Sequence, residues 1–145
     1  MKLLLLPITL LLLFGCNGSN NLKTTTKAAR VVHQASDHTV KQLPISNIKN
    51  SFIENGSESN HNHSVIEISG EVIAYGLTED GVYMVTLRED GHEALCTFDA
   101  SISDQMGGGR TVSSGSSITV RGQCQSSGLF ASHPFTLHGC KIVTD

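Results

Sequence analysis

The chain has 145 residues, room for one domain and its flanking segments, which excludes a multidomain enzyme. Charged residues make up 16% and aromatics 5%, there is no Trp, and Gly, Ser and Thr are frequent, which suits short strands and turns rather than a long helical bundle. Lys and Arg number 10 against 13 Asp and Glu, and the net charge of -3 gives no basic attraction to nucleic acid or an anionic bilayer.

Lys2 precedes an apolar stretch over residues 3–14 that only Pro7 and Thr9 interrupt, and the stretch runs into Leu13-Phe14-Gly15-Cys16. It is shorter than the ~20 residues that a bilayer-crossing helix needs and carries a charge ahead of it, so residues 1–15 read as a signal peptide. Leu-Phe-Gly-Cys resembles the lipobox of bacterial lipoproteins, in which the Cys is diacylated, the chain is cut before it, and the new N-terminus is acylated. The resemblance implies that Cys16 is a lipid anchor and that no transmembrane helix is needed. Asn17 in the next position implies, for a Gram-negative cell, an outer-membrane location facing the periplasm.

Residues 16–43 are rich in Asn, Ser, Thr, Lys and Ala without a sustained apolar period, and are expected to form an acylated, flexible tether. Ile45, Ile48, Phe52 and Ile53 then fall on one helical face, and Gly56 supplies a stop, which predicts a short amphipathic helix over 45–55. From Ser64 onward the period changes to two. Strands are expected at 65–75, with a bulge or sharp coil at Gly70, and at 82–88, 94–98, 117–124 and 135–143. Glu79-Asp80-Gly81 and Glu89-Asp90-Gly91 turn the first three into a meander, and a polar stretch over 99–115 separates them from the last two. Three strands, a long connection and two strands is the order of a five-stranded Greek-key OB barrel, whose connecting segment often carries a helix; Asp99 as N-cap and residues 101–106 fit a remnant of one. The expected fold is all-β with a small α contribution, and the domain spans 44–145.

Several pieces of this segment look familiar together: Ser69-Gly70-Glu71 before Val72, Leu95-Cys96-Thr97-Phe98, Ile118-Thr119-Val120-Arg121-Gly122-Gln123-Cys124 and Leu137-His138-Gly139-Cys140-Lys141-Ile142. They resemble the tRNA_anti-like family of OB-fold bacterial envelope proteins, many of them lipoproteins, over about residues 44–145. That resemblance implies a fold and an envelope setting. The family name rests on fold similarity to anticodon-binding domains, and no general biochemical role comes with it.

Few constellations carry chemistry. With Cys16 assigned to lipid, three cysteines remain in a compartment that favours disulfides. A bulge at Gly139 would place Cys124 and Cys140 on one core face and pair them; Cys96 with Cys140 is the rival, and three reduced, buried thiols the plain alternative. His61 and His63 have an i, i+2 spacing open to a metal, but no His-x-x-x-His or Cys-x-x-Cys fixes a ligand pair, and neither a metal nor another cofactor is expected. The glycines of 105–110 follow no apolar strand and lack the Lys-Ser or Lys-Thr of a phosphate loop. Residues 64–145 carry four basic residues against ten acidic ones, the wrong sign for a phosphate backbone. The reading is therefore a lipid-anchored, non-catalytic OB module that binds an envelope protein or glycan through the strand face at 82–98 and the loops at 76–81 and 126–134, with nucleic acid excluded as a partner. A small metal-dependent enzyme using His61 or His63 is the alternative from another class, and a single-stranded nucleic-acid binder the less favoured one.

Overall fold

The computed structural model describes residues 26–99, 112–128 and 131–143. Cys16 with its signal peptide, the expected helix at 101–106 and the glycine run at 105–110 lie outside the described residues. In chain order the elements are α1 (Lys27–Gln34), β1 (Lys41–Gln42), α2 (Ile45–Asn55), a single 3-10 turn (Gly56–Glu58), β2 (Val65–Leu77), β3 (Tyr83–Glu89), β4 (His92–Phe98), β5 (Ser117–Ser126) and β6 (Phe135–Val143).

The strands lie in the order β1-β2-β3-β4-β6-β5, and an additional β2–β5 pairing closes the sheet on itself. Apart from β4–β6 and the short β1 beside β2, which are parallel, all pairings are antiparallel. Strands β2 to β6 therefore make the expected five-stranded OB barrel. Closure follows from the length of β2: its first half pairs with β5 and its second half with β3, so one strand serves two edges. The curvature that this requires comes from a register shift between Val72 and Ala74, which places the bulge beyond Gly70, where it was expected.

Period-two burial fills the interior. Ile66, Ile68, Val72, Val85, Leu87, Ala94, Cys96, Phe98, Val120, Cys124, Phe135, Leu137 and Cys140 are buried and form one cluster. The helix expected at 45–55 is found there as α2, and Ile45, Ile48 and Phe52 plug one end of the barrel, with Phe52 stacked on Phe135 at 5.6 Å between ring centroids. Pro44 has no side-chain acceptor for the first turn of α2, and Glu89 Oε2 takes that place by accepting from the backbone N–H of Ile45 at 2.7 Å.

Two expectations are corrected here. First, part of the segment read as a tether is folded. Thr26 caps α1 by accepting from the Ala29 N–H, Ala29 and Val32 are buried, and α1 packs on β5 and β6. Only two buried side chains hold it, too narrow a stripe to register as a period in the sequence. Its stability is tertiary. Gly139, at φ +61°, lets the backbone of β6 approach so closely that a Cβ there would come within 2.2 Å of the Ala29 nitrogen. Arg121 Nη2 meets Glu67 Oε1 at 2.6 Å, and its Nη1 lies 2.7 Å from Asp37 Oδ1 just past the helix. The second contact is an ion pair by distance, its N–H poorly aimed for a hydrogen bond.

Second, the expected Cys124–Cys140 disulfide is absent, and Cys96, Cys124 and Cys140 are buried free thiols. The Gly139 bulge does form, but Cys124 faces Leu137 across β5–β6, and the bulge carries Cys140 further along β6, to a place beside Gly122. A register argument from the parity of residues alone could not say on which side of the bulge each sulfur would lie.

Candidate ligand-binding face

The outer surface of the barrel can be followed strand by strand through the pairing. One row runs from Gly76 to Met84 to Thr97, continues to His138 through the Thr97 hydroxyl, 3.1 Å from His138 Nδ1, and ends at Gln123. The next row runs Ala74, Thr86, Leu95, Thr136, Gln125. Neither row contains a charged carboxylate, ammonium or guanidinium. Charge lies at their borders: in the row beyond, Arg88 and Glu93 are paired at 2.7 Å and His133 Nε2 approaches the same carboxylate at 3.8 Å, and where α1 meets the rows Lys27 adjoins Gln123 and Gln125 and Asp99 adjoins Thr97 and His138. The Arg88 guanidinium beside it holds the Glu93 carboxyl below the usual carboxylate range.

This face presents hydroxyls, amides and small apolar groups in fixed positions. The Thr97 hydroxyl also donates to the Leu137 carbonyl at 3.2 Å, Ser127 and Thr136 hydroxyls meet at 2.8 Å, and Gln125 Nε2 donates to Gln123 Oε1 at 3.2 Å. Where α1 meets the rows, a concavity of about 220 Å³ is bordered by Thr26, Val82, Thr97, Asp99, Gln125 and His138. Asp99 is buried and accepts from the Thr26 N–H at 3.0 Å, while the helix at 101–106 that it was expected to cap lies outside the described residues. At the β2–β3 end, large apolar side chains are exposed: Leu77 at 59%, Tyr75 at 56% and Met84 at 36%. A second concavity, about 660 Å³, opens between α2 and the β5–β6 turn, with Phe52, Ile53, Gly56, Ser126 and Pro134 on its walls.

The strand face expected at 82–98 is thus built by β3 and β4, and the structure extends it over β6 to His138, Gln123 and Gln125, which sequence reading did not single out. Register across a parallel β4–β6 pair leaves no local signal in either strand. His61 and His63 lie before β2, where the His63 N–H donates to the Cys124 carbonyl at 2.7 Å. Among the described residues no group of three or more His, Cys, Asp or Glu side chains converges as a metal site would require.

Burial pushes the His138 imidazole below its ordinary value of 6.5. Because the unfolded chain then takes up the proton first, stability is fully present above about pH 7 and is lost as pH falls through the folded value. His138→Asn is expected to flatten the acid limb of a plot of melting temperature against pH between about 7 and 5, with little change at pH 8. An unchanged acid limb would assign that slope elsewhere.

No family model matches the chain, and no curated protein matches it. Solved structures do. An aspartyl-tRNA synthetase from Leishmania major Friedlin aligns with a TM-score of 0.53 at 14% identity, over 77% of this chain and 22% of that one. An asparaginyl-tRNA synthetase from Pyrococcus horikoshii aligns with a TM-score of 0.53 at 10% identity, over 70% of this chain and 22% of that one. At these identities the fold is what is shared, and the chain spans about a fifth of the length of either synthetase. The fold is an OB barrel.

One expectation falls with this comparison. Nucleic acid was excluded on the acidic balance of residues 64–145, yet the same barrel occurs in synthetases whose names specify tRNA. The exclusion does not hold. A net charge is an average over the whole surface, whereas a ligand meets the potential of one face, and here the acidic groups lie off the neutral rows.

Proposed function

We propose that the chain is an exported, lipid-anchored, non-catalytic OB module of the bacterial envelope that holds a protein or glycan partner on the outer face of β3, β4 and β6. The observation that carries the reading is the neutrality of that face. Two rows of Thr, Gln, His and apolar side chains, with the exposed Met84 among them, suit uncharged hydroxyl-bearing or apolar surfaces. The anchor at Cys16, the signal peptide before it and kinship with the tRNA_anti-like envelope proteins belong to the same reading, supported by the Leu-Phe-Gly-Cys sequence and the OB barrel.

The test is photo-crosslinking in cells from position 97, comparing the anchored chain with Cys16→Ser. Recovery of one envelope component from the anchored form, reduced about tenfold or more by Met84→Glu, is the expected result. A crosslinking pattern indifferent to both changes would end the reading. The same Met84→Glu protein should keep its melting temperature within a few degrees, since Met84 is exposed.

A second reading has its own support. Tyr75 and Tyr83 lie near the same β2–β3 end and could stack on unpaired bases, and the barrel is shared with tRNA synthetases. It predicts a gel shift with single-stranded oligonucleotide at low salt that weakens steeply as salt rises and is lost in Tyr75→Ala.

A further inference from the structure

The β2–β3 hairpin runs on past the end of the barrel. Strand β2 pairs with β5 only from Val65 to Glu71, and the last hydrogen bonds on that side join Val72 to Gly115 and Ser116. From Tyr75 to Leu77 it keeps β3 on one side and, among the described residues, has no backbone partner on the other. The Thr78 N–H donates to the Val82 carbonyl, and strand backbones alternate, so Gly76 turns its N–H and C=O to β3 while Tyr75 and Leu77 turn theirs outward. An open edge of this kind is a template for another strand. The side chains there are apolar as well: Tyr75 and Leu77, each more than half exposed, oppose Val85 and Tyr83 across the hairpin and share their face. That face continues the barrel interior, on the other side of the sheet from the row that holds Met84.

Charge decides what the edge accepts. Glu71 lies at one end and Glu79 and Asp80, in the hairpin turn, at the other, all three exposed, whereas Arg88 opposite Glu71 is paired with Glu93. A second copy of the chain fits badly. Antiparallel pairing centred on Tyr75 sets Glu71 opposite Glu79 of the other molecule, and pairing centred on Gly76 brings Asp80 of one opposite Val72 of the other, beside its Glu71. Parallel pairing in register sets each carboxylate beside its own copy. We propose that the outward edge of β2 at Tyr75 and Leu77 takes an extended peptide segment of another protein as an added strand, with apolar residues at two alternate positions and basic residues at both ends. Main-chain hydrogen bonds to Tyr75 and Leu77 give the binding, their side chains select the apolar residues, and the three carboxylates select the ends. The edge is separate from the outer face of β3, β4 and β6 and does not depend on what that face holds.

The probe is the acetylated, amidated peptide Lys-Thr-Val-Thr-Val-Thr-Lys, with a companion set that carries Ile, Leu, Phe or Tyr in place of either Val, titrated into purified full-length chain up to ~1 mM. Amide shifts and hydrogen exchange read the binding. Saturable binding of at least one member is expected, with the Tyr75 and Leu77 amides protected roughly tenfold or more over the free chain. Methylation of peptide nitrogens separates an added strand from plain apolar contact: methyls on one alternate set should abolish binding, and methyls on the other set should leave it. Replacing both peptide Lys by Glu should weaken binding about tenfold, and Glu79→Lys with Asp80→Lys should reverse that preference. Glu54→Lys with Glu58→Lys, the same change of charge at the α2 end, where Glu89 closes β3, should not reverse it. No saturable binding by any member, equal effects of the two methylation sets, indifference to the end charges, or a dimer that protects Tyr75 and Leu77 without peptide overturns the proposal. Crosslinking from position 97 scores the outer face independently of this edge.

Discussion

Arg121→Met is expected to destabilise the protein by about 3–5 kcal/mol, the cost of removing one member of a buried ion pair. Arg121 is 5% exposed, and its guanidinium meets Glu67 through Nε at 2.8 Å and Nη2 at 2.6 Å, with the Glu67 side chain itself only 15% exposed. Without the guanidinium that carboxylate is left partly desolvated and unpaired. Most of the loss should therefore return in the double variant Arg121→Met, Glu67→Leu, because the charge that made the single change costly is gone. What should not return is the hold on α1, since Asp37 loses its partner in both variants. Chemical denaturation measures the first effect. Trypsin cleavage at Lys27 and Arg30 measures the second, and both variants should be cut faster than the parent. A single variant within 1 kcal/mol of the parent would mean that the Arg121–Glu67 pair is solvated in the folded protein, and the clamp argument would fail with it.

The parts of the molecule that could be read from the residues are those that repeat locally. Alternation along 117–124 and 135–143, acidic Gly turns, and the Ile45, Ile48, Phe52 stripe each carry their own signal, and the barrel and α2 follow from them. What escaped depends on pairs of residues distant in sequence. The helix α1 exists because Gly139 and Arg121, about a hundred residues later, accept it. The position of Cys140 depends on which side of a bulge it falls, and parity gives only that a bulge is needed. The candidate face divides in the same way. Its β3 and β4 portion is legible as alternating polar residues, while its continuation through Thr97 to His138 needs the parallel β4–β6 contact that only the closed barrel provides. Charge was the least transferable guide, because summing side chains along 64–145 cannot report that the acidic ones avoid the two central rows.

Gly139→Ala tests the closest of these distant contacts, and its effect should be large for so small a change. At φ +61° an alanine carries a backbone cost on the order of 1–3 kcal/mol. Its Cβ would also lie 2.2 Å from the Ala29 nitrogen, 2.5 Å from the Ala28 carbonyl carbon and 2.6 Å from the Ala29 Cα. These are backbone atoms of a helix, which cannot turn aside as a side-chain tip would, so a comparable overpacking cost of about 1–3 kcal/mol is added unless α1 lifts away. Lifting exposes Ala29 and Val32 and breaks the Thr26 to Asp99 contact. The two responses differ in what they leave behind. If the barrel distorts to keep α1, the chain loses global stability while Lys27 and Arg30 remain protected from trypsin. If α1 lifts, global stability falls less, the tryptic sites open, and the 220 Å³ concavity loses its Thr26 wall. Lifting is the expected response, because α1 is held by two buried side chains and the barrel by a continuous core, and the weaker contact should yield. Amide exchange that accelerates in residues 27–34 while β5 and β6 stay protected is the result that would establish it; protection of 27–34 equal to the parent's would show that the barrel, not the helix, absorbs the strain.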